Sequence, residues 1–127
     1  MRERRRVFSG SPYEARFGFC RAVRTGDRVL VAGTAPIWPD GSCDPDASVQ
    51  ARRCYEIILG ALADLGAEPR HVVRTRVYIT DASHTEAVGN AHGEVFAESP
   101  PVNTMVVVAG LVDERWKVEI EAEAVLD

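Results

Sequence analysis

The sequence predicts an α+β domain of two layers, in which two helices cover one face of a mixed sheet. Five stretches of the chain have strand patterns, and two longer stretches between them have apolar residues at helical spacing. The resulting order, β-β-α-β-α-β-β, contains no internal linker or repeat and predicts a single domain over residues 1–127.

The N-terminal region is predicted to form a β-hairpin. Residues 1–12 are basic at their start and are expected to be a flexible arm. Apolar and basic residues alternate over residues 13–25, which favours a first strand, and residues 28–33 form the second. Gly26-Asp27 between them is predicted to be the tight turn.

A long helix is predicted after the loop of residues 34–42. Either Asp46 or Ser48 can cap its N-terminus, and Gly66 is expected just beyond its C-terminus. Gly60 lies inside this helix, where it is expected to allow close packing on the sheet. The apolar stripe of the helix consists of Val49, Cys54, Ile57, Ile58, Ala61 and Leu65.

A strand and a second helix are predicted next. The strand covers residues 74–81, and its alternate residues are expected to face the core. The helix covers about residues 84–98, with Asp81 or Ser83 as its cap. It is expected to end before Pro100-Pro101, since proline cannot continue a helix.

The two C-terminal strands carry the strongest signal for a functional site. Residues 100–111 contain a β-branched run, which predicts a strand buried on both faces. Residues 116–125 alternate, so that Glu119, Glu121 and Glu123 share one face. The short connection between the two strands predicts that they are antiparallel neighbours.

Three carboxylates on one strand face repel one another unless they are solvated by water or neutralised by a basic partner or a ligand. An edge strand facing water would carry the same row, and the pattern alone does not separate these alternatives. A carboxylate at a seam between subunits would instead be desolvated, which moves its pKa toward that of a general acid or base. Because two helices cover only one sheet face, we expect several copies of the chain to pack together.

Composition and charge disfavour several classes of protein. No apolar run reaches the about 20 residues of a membrane span, so we expect no membrane partner. The net charge of −4 disfavours a nucleic-acid partner. The three cysteines form no Cys-x-x-Cys pair and the three histidines share no ligand motif, so no metal is expected. A cytoplasmic location is expected for such a chain.

Four segments of the sequence resemble one known family. They are Val31–Pro36, Arg74–Asp81, Thr104–Leu111 and Val118–Ala122. They are similar to the Rid family of reactive intermediate deaminases, also called YjgF-type proteins and once labelled endoribonuclease L-PSP. The likeness covers about residues 11–126 in the right order. It implies a chorismate-mutase-like fold, a homotrimer whose three sheets line a central barrel, and active clefts between subunits.

The resemblance also implies a reaction and a set of residues. Deaminating members of the family hydrolyse enamines and imines to keto acids and ammonia without a metal or organic cofactor. Glu119 matches the glutamate that positions the attacking water. The backbone of Thr104 and Met105 matches positions that face the ligand, and Gly33 and Thr34 match the loop opposite.

The sequence departs from the deaminase pattern at two positions. Phe19 stands where deaminases carry a tyrosine, so that a hydroxyl is absent. Asn103 stands where they carry an arginine that holds the substrate carboxylate, and asparagine offers neither the charge nor the guanidinium fork. Losing such a contact costs about two orders of magnitude in affinity. Arg21 or Arg76 could replace this clamp from another strand.

Two hypotheses follow for the function. The first is a Rid-like hydrolase that acts on a small enamine or imine and depends less on a carboxylate, with Glu119 handling water and Asn103 holding the polar end of the substrate. The alternative is a non-catalytic trimer that binds a small metabolite or a partner protein in the same clefts. Neither hypothesis requires a cofactor.

Overall fold

A computed structural model describes residues 3–127 and places six strands in one sheet, in the order β1-β2-β3-β6-β4-β5. The strands are β1 (Arg4–Val7), β2 (Ala22–Thr25), β3 (Arg28–Thr34), β4 (Val72–Ile79), β5 (Val102–Val107) and β6 (Val118–Val125). The α-helices are α1 (Pro12–Phe17), α2 (Ala47–Asp64) and α3 (Thr85–Phe96), and short 3-10 turns cover Pro69–His71 and Ala82–His84. All pairs are antiparallel except β4 with β5. The predicted α+β class is confirmed.

The N-terminal region differs from its prediction. In place of a flexible arm, residues Arg4–Val7 form the edge strand β1, which pairs with β2; Met1 and Arg2 lie outside the described residues. In place of a strand starting at residue 13, the chain forms α1. Ser11 caps this helix by accepting a hydrogen bond from the Tyr13 amide, and Pro12 occupies the first turn, where its missing N–H costs nothing. The predicted hairpin of β2 and β3 is present.

The two long helices form where they were predicted. Asp46, rather than Ser48, caps α2 by accepting from the Val49 amide, and Gly66 follows the helix with φ of 84°. Asp81, rather than Ser83, caps the turn that leads into α3. Gly60 contradicts its prediction, because it is exposed and a Cβ added there would meet nothing within 4 Å.

The arrangement of the C-terminal strands also differs from the prediction. The strand β5 is not beside β6: it lies parallel to β4 at the edge of the sheet, and β4 separates the two. The segment from β4 through α3 to β5 is a β-α-β crossover, which makes a parallel neighbour. The apolar run is therefore exposed along much of this edge, with Val102 63% and Val107 56% accessible.

The core lies between the helices and one face of the sheet. The fully buried side chains include Ile58 and Leu62 of α2, Val77 of β4 and Ile120 of β6. The alternate residues of β4 and β6 point to the opposite face, which α2 and α3 leave open. No helix in the described part of the chain is long and apolar enough to cross a membrane.

Candidate functional site

The row of carboxylates predicted on β6 lies on the open face of the sheet, and two of its members are neutralised by neighbouring strands. Glu123 pairs with Arg28 of β3 and, at 3.8 Å, with Arg74 of β4. Glu121 accepts a short hydrogen bond from the Tyr78 hydroxyl and lies 3.8 Å from Arg76. Basic and phenolic partners within the same sheet therefore relieve the repulsion that the sequence pattern implied.

Glu119, the third carboxylate, has a different environment. It is half-buried, and burial raises its pKa above the usual glutamate value, with Glu121 adding to the rise and Arg21 opposing it. Gly33 of β3 makes room for the carboxylate, because a Cβ added to Gly33 would lie only 2.6 Å from Glu119 Oε2. The register between β3 and β6 shifts at this point, between Val31 and Thr34.

Arg21 is the cation nearest to this carboxylate. Its Nη2 donates a hydrogen bond to the Gly33 carbonyl at 2.6 Å, which ties the guanidinium to the strand over Glu119. Burial lowers the pKa of Arg21, while the charges of Glu14 and Glu119 oppose this effect. The Nε atom of Arg21 is buried without a hydrogen-bond partner.

Glu14 of α1 supplies a second carboxylate to the same place. Only 4% of this residue is exposed, and its carboxylate accepts hydrogen bonds from the Ser9 amide at 3.0 Å and the Ser9 hydroxyl at 2.6 Å. The short helix α1 therefore carries an ionisable group into the wall of the site, next to Arg21.

These groups line a cleft of about 290 Å³ at the end of the sheet. Most of its wall is apolar or aromatic, and a second depression of about 530 Å³ adjoins it and shares seven of its residues. The cleft is lined by Ser9, Ser11, Tyr13, Glu14, Phe17, Phe19, Arg21, Gly33, Ala35, Ile37, Val112, Trp116 and Glu119. A small molecule with one polar end fits a site of this size and lining.

Of the residues predicted for the site, the structure brings Phe19, Arg21, Gly33 and Glu119 together in this cleft. The side chain of Thr34 is turned the other way: it is fully buried, and its hydroxyl donates to the Ala32 carbonyl.

Arg76 lies outside the cleft. It lines a separate depression of about 360 Å³ on the open face, together with its partner Glu121. Of the two arginines predicted as replacement clamps, only Arg21 is therefore in the cleft.

The site residues predicted on β5 lie outside the cleft of their own chain. Asn103 faces the helix layer, where its Nδ2 donates to the Thr75 hydroxyl at 2.9 Å, and that hydroxyl is 2.8 Å from Nε2 of His92. Met105 faces the same layer, and Thr104 faces the opposite side, next to Arg76 in register. Because β5 is two strands away from β6, about 10 Å, these residues do not reach Glu119 of the same chain.

The sequence prediction missed the wall of the cleft formed by Ser9, Tyr13, Glu14 and Phe17. The alternation over residues 13–25 was interpreted as a strand, although part of this region is helical. Ser11 followed by proline is a typical helix start and could have indicated α1. Trp116 was missed because it was assigned to the start of a strand. No cluster of His, Cys, Asp or Glu that could hold a metal ion exists among residues 3–127.

The fold and the cleft define a class of small α+β protein, with one sheet, helices on one face and a carboxylate site at the sheet end. The chain belongs to the family described as Endoribonuclease L-PSP, whose sequence profile matches residues 10–126. This confirms the resemblance found in the sequence.

Individual relatives agree with this assignment. An uncharacterized protein of Streptomyces coelicolor is 44% identical over 123 residues, which cover 94% of this chain and 90% of the relative. A RutC family protein of Pyrococcus abyssi is 31% identical over 109 residues, 84% of each chain. The crystal structure of a Mycobacterium tuberculosis member of the YjgF/YER057c/UK114 family superposes with a TM-score of 0.90 at 40% identity, covering 98% of this chain and 100% of that one.

Proposed function

We propose that this protein is a hydrolase of small imines or enamines, in which Glu119 activates the attacking water. The observation that carries the proposal is the environment of Glu119: its carboxyl group is half-buried at the wall of a largely apolar cleft, and its pKa is raised by that burial. A carboxylate whose pKa lies closer to neutrality is a better general base than a fully solvated one.

The chemistry requires one base and one acid, and Glu119 can serve as both. Its carboxylate removes a proton from water while the water oxygen bonds to the imine carbon, and the imine nitrogen takes a proton from solvent. The protonated Glu119 then gives its proton to the nitrogen of the carbinolamine. The C–N bond breaks, ammonia leaves, and loss of the hydroxyl proton gives the carbonyl product. The apolar wall keeps bulk water from competing at the carboxylate.

We further propose that the cleft is completed in a homotrimer. The open sheet face and the exposed edge of β5 carry apolar side chains of the kind that self-association buries, with Leu30 38% and Val106 42% exposed. In such an assembly Asn103, Thr104 and Met105 of the partner subunit would approach the cleft that holds Glu119. Light scattering or analytical ultracentrifugation of the purified protein tests this, and a monomer of 13.9 kDa contradicts it.

The activity is tested by ammonia release from freshly generated imines. Wild-type protein is compared with Glu119→Gln, and with Glu123→Gln as the matched control on the same strand face. Loss of a general base typically costs about 100-fold or more, so Glu119→Gln should lose activity by that factor. Glu123→Gln should stay within about three-fold of wild type. Equal rates for Glu119→Gln and wild type would remove Glu119 from the mechanism.

A second candidate function is binding without catalysis. It is favoured by Asn103, whose amide is engaged with Thr75, and by Phe19, which brings no hydroxyl to the cleft. A ligand that binds only the folded protein raises its melting temperature. A metabolite panel that produces such shifts, together with no acceleration of any imine, would favour this candidate over the hydrolase.

A further inference from the structure

We infer that the cleft selects molecules whose polar group is a neutral or cationic nitrogen, and that it discriminates against carboxylates. This inference rests on the proposed function for the reaction, but it concerns a separate property, the substrate class. Two features of the cleft support it, the balance of charges and the aromatic wall, and a third, the neutral amide of Asn103, applies in the proposed homotrimer.

The charged groups that line the cleft in the described residues are two carboxylates and one guanidinium. With Glu14 and Glu119 ionised, Arg21 neutralises only one of them. Arg21 is in addition held by the Gly33 carbonyl. A substrate carboxylate would enter as a third anion around one cation, where the unpartnered Nε of Arg21 is the donor left to it, whereas an iminium or ammonium group would complete the charge balance.

Among the described residues, Arg53 is the one further cation that lines the adjoining depression. However, its Nε donates to the Ile37 carbonyl at 2.7 Å and its Nη1 pairs with Glu56 at 3.3 Å. The arginine is therefore committed to neighbours within its own chain. An anion that reached this depression would have to displace one of these contacts.

The aromatic wall favours cations. The negative faces of aromatic rings attract a positive group within about 6 Å of the ring centre. The chain itself gives an example on two of the lining rings: the guanidinium of Arg16, which is not a lining residue, lies 5.1 Å from the centre of Phe17 and 5.8 Å from that of Tyr13. Phe19 and Trp116 line the cleft further in and present rings of the same kind.

Asn103 presents a neutral amide where the resemblance expects a cation. Its Nδ2 is used by the Thr75 hydroxyl, which in turn contacts His92. Burial lowers the pKa of His92 and favours its neutral form, which can accept the proton of the Thr75 hydroxyl. This chain of hydrogen bonds uses one N–H of the Asn103 amide, so that in the proposed homotrimer the group offered to a ligand is a neutral amide, without the charge and the two-point geometry that hold a carboxylate.

The test uses two imines that differ only by a carboxylate. One is generated from phenylalanine by an amino-acid oxidase and the other from 2-phenylethylamine by an amine oxidase, and ammonia release is followed with and without the protein. We expect the acceleration of the amine-derived imine to be at least about 10-fold larger. An equal or larger acceleration of the acid-derived imine would overturn the inference while leaving the hydrolase proposal intact.

A binding measurement separates the two proposals if neither imine is accelerated, an outcome that would reject the hydrolase. Melting temperatures are then recorded with 2-phenylethylamine and with phenylacetate. A rise with the amine alone supports the inference; no rise with either, or a rise with phenylacetate that is equal or larger, overturns it.

A variant tests the origin of the selectivity. Glu14→Gln removes one negative charge and keeps an oxygen that can accept from Ser9, so the preference for the amine-derived compound should fall several-fold. Glu94→Gln, at an exposed position whose partner Arg52 also lies outside both depressions, is the control and should not change it. An unchanged preference in folded Glu14→Gln would contradict the charge argument.

Discussion

Glu119 and Glu123 occupy the same strand and the same face, four residues apart, yet their surroundings differ. Glu123 lies between Arg28 and Arg74, and these cations belong to the two strands that pair with β6. Glu119 lies at the end of the sheet, under Gly33, in a cleft where the described residues supply one cation, Arg21, which also faces Glu14.

The difference shows that the strand pattern predicts which face a carboxylate lies on, but not how buried it is or which charges surround it. Two cations and contact with solvent make Glu123 one member of an ordinary surface ion-pair network. Partial desolvation with incomplete neutralisation raises the pKa of Glu119, because its charged form is less stable than in water. The cleft is produced by α1 and the irregularity of β3, which lie beside Glu119 and not beside Glu123.

The largest change in the environment of Glu119, and in activity, is expected from Gly33→Ala. The new methyl group would overlap Glu119 Oε2, since the added Cβ lies 2.6 Å from that oxygen, and the carboxylate would have to move. A displacement of about 1 Å can cost up to about 100-fold in rate, so we expect a loss of about 10- to 100-fold.

The measurement for Gly33→Ala is imine hydrolysis, with circular dichroism to show that the fold is retained. Gly60→Ala serves as the control because its Cβ meets nothing. Full activity in Gly33→Ala would show that the position of the Glu119 carboxylate is unimportant.

The second prediction concerns Arg21→Gln. Arg21 lowers the pKa of Glu119, so its removal should raise that pKa further and shift the acidic limb of the pH–rate profile to higher pH. Arg28→Gln, which removes a partner of Glu123, should leave this limb in place. The profile of each variant is measured from pH 4 to pH 9, and an acidic limb that moves to lower pH in Arg21→Gln would contradict the account.

The third prediction is that the two carboxylates affect stability in opposite directions. A carboxyl group whose pKa is raised on folding binds its proton more tightly in the folded state, so stability falls as the pH rises above the unfolded value of about 4.3. Glu119→Gln removes this effect and should melt at a higher temperature than wild type at pH 7. The difference should shrink below pH 4. Glu123→Gln should lower stability at pH 7 by at most about 1 kcal/mol, since it breaks exposed ion pairs.

Thermal unfolding at pH 7 and at pH 4 measures both effects on the same proteins. If Glu119→Gln proved less stable than wild type at pH 7, Glu119 would be a structural ion-pair partner like Glu123.

The smallest effect is expected in the helix layer, away from both carboxylates. Gly60→Ala should stabilise the protein by about 0.5–1 kcal/mol, because alanine favours helix and no neighbour obstructs the methyl group. Chemical denaturation provides the measurement. A destabilised variant would mean that another copy of the chain packs against this surface of α2.

The sequence predicted the fold best where a periodic pattern met a clear cap. The helix α2, with its stripe and its Asp46 and Gly66 boundaries, is the example. The prediction was wrong where chain proximity was taken for spatial adjacency: β5 precedes β6 in the chain, but β4 lies between them. An apolar run predicts that a strand is buried but not what it packs against. The edge formed by β5 is covered only if another copy of the chain packs on it.

The candidate site was predictable only in part. The alternation on β6 gave Glu119 together with Glu121 and Glu123, and the resemblance singled out Glu119, Gly33 and Phe19. Arg21 was predicted only as one of two possible replacements for the missing arginine. Nothing in the local pattern distinguished Glu119 from Glu123, because burial depends on α1, whose residues had been assigned to a strand. Glu14 was missed for the same reason.

The most direct test of the central claim is the titration of the Glu119 carboxyl carbon by NMR, assigned by comparison with Glu119→Gln. The account predicts a pKa above the usual glutamate value of about 4.3, raised by burial in the cleft. It also predicts that the midpoint rises further in Arg21→Gln. A midpoint at or below the usual value in the wild-type protein would contradict the account, because Glu119 would then be a solvated or ion-paired surface carboxylate.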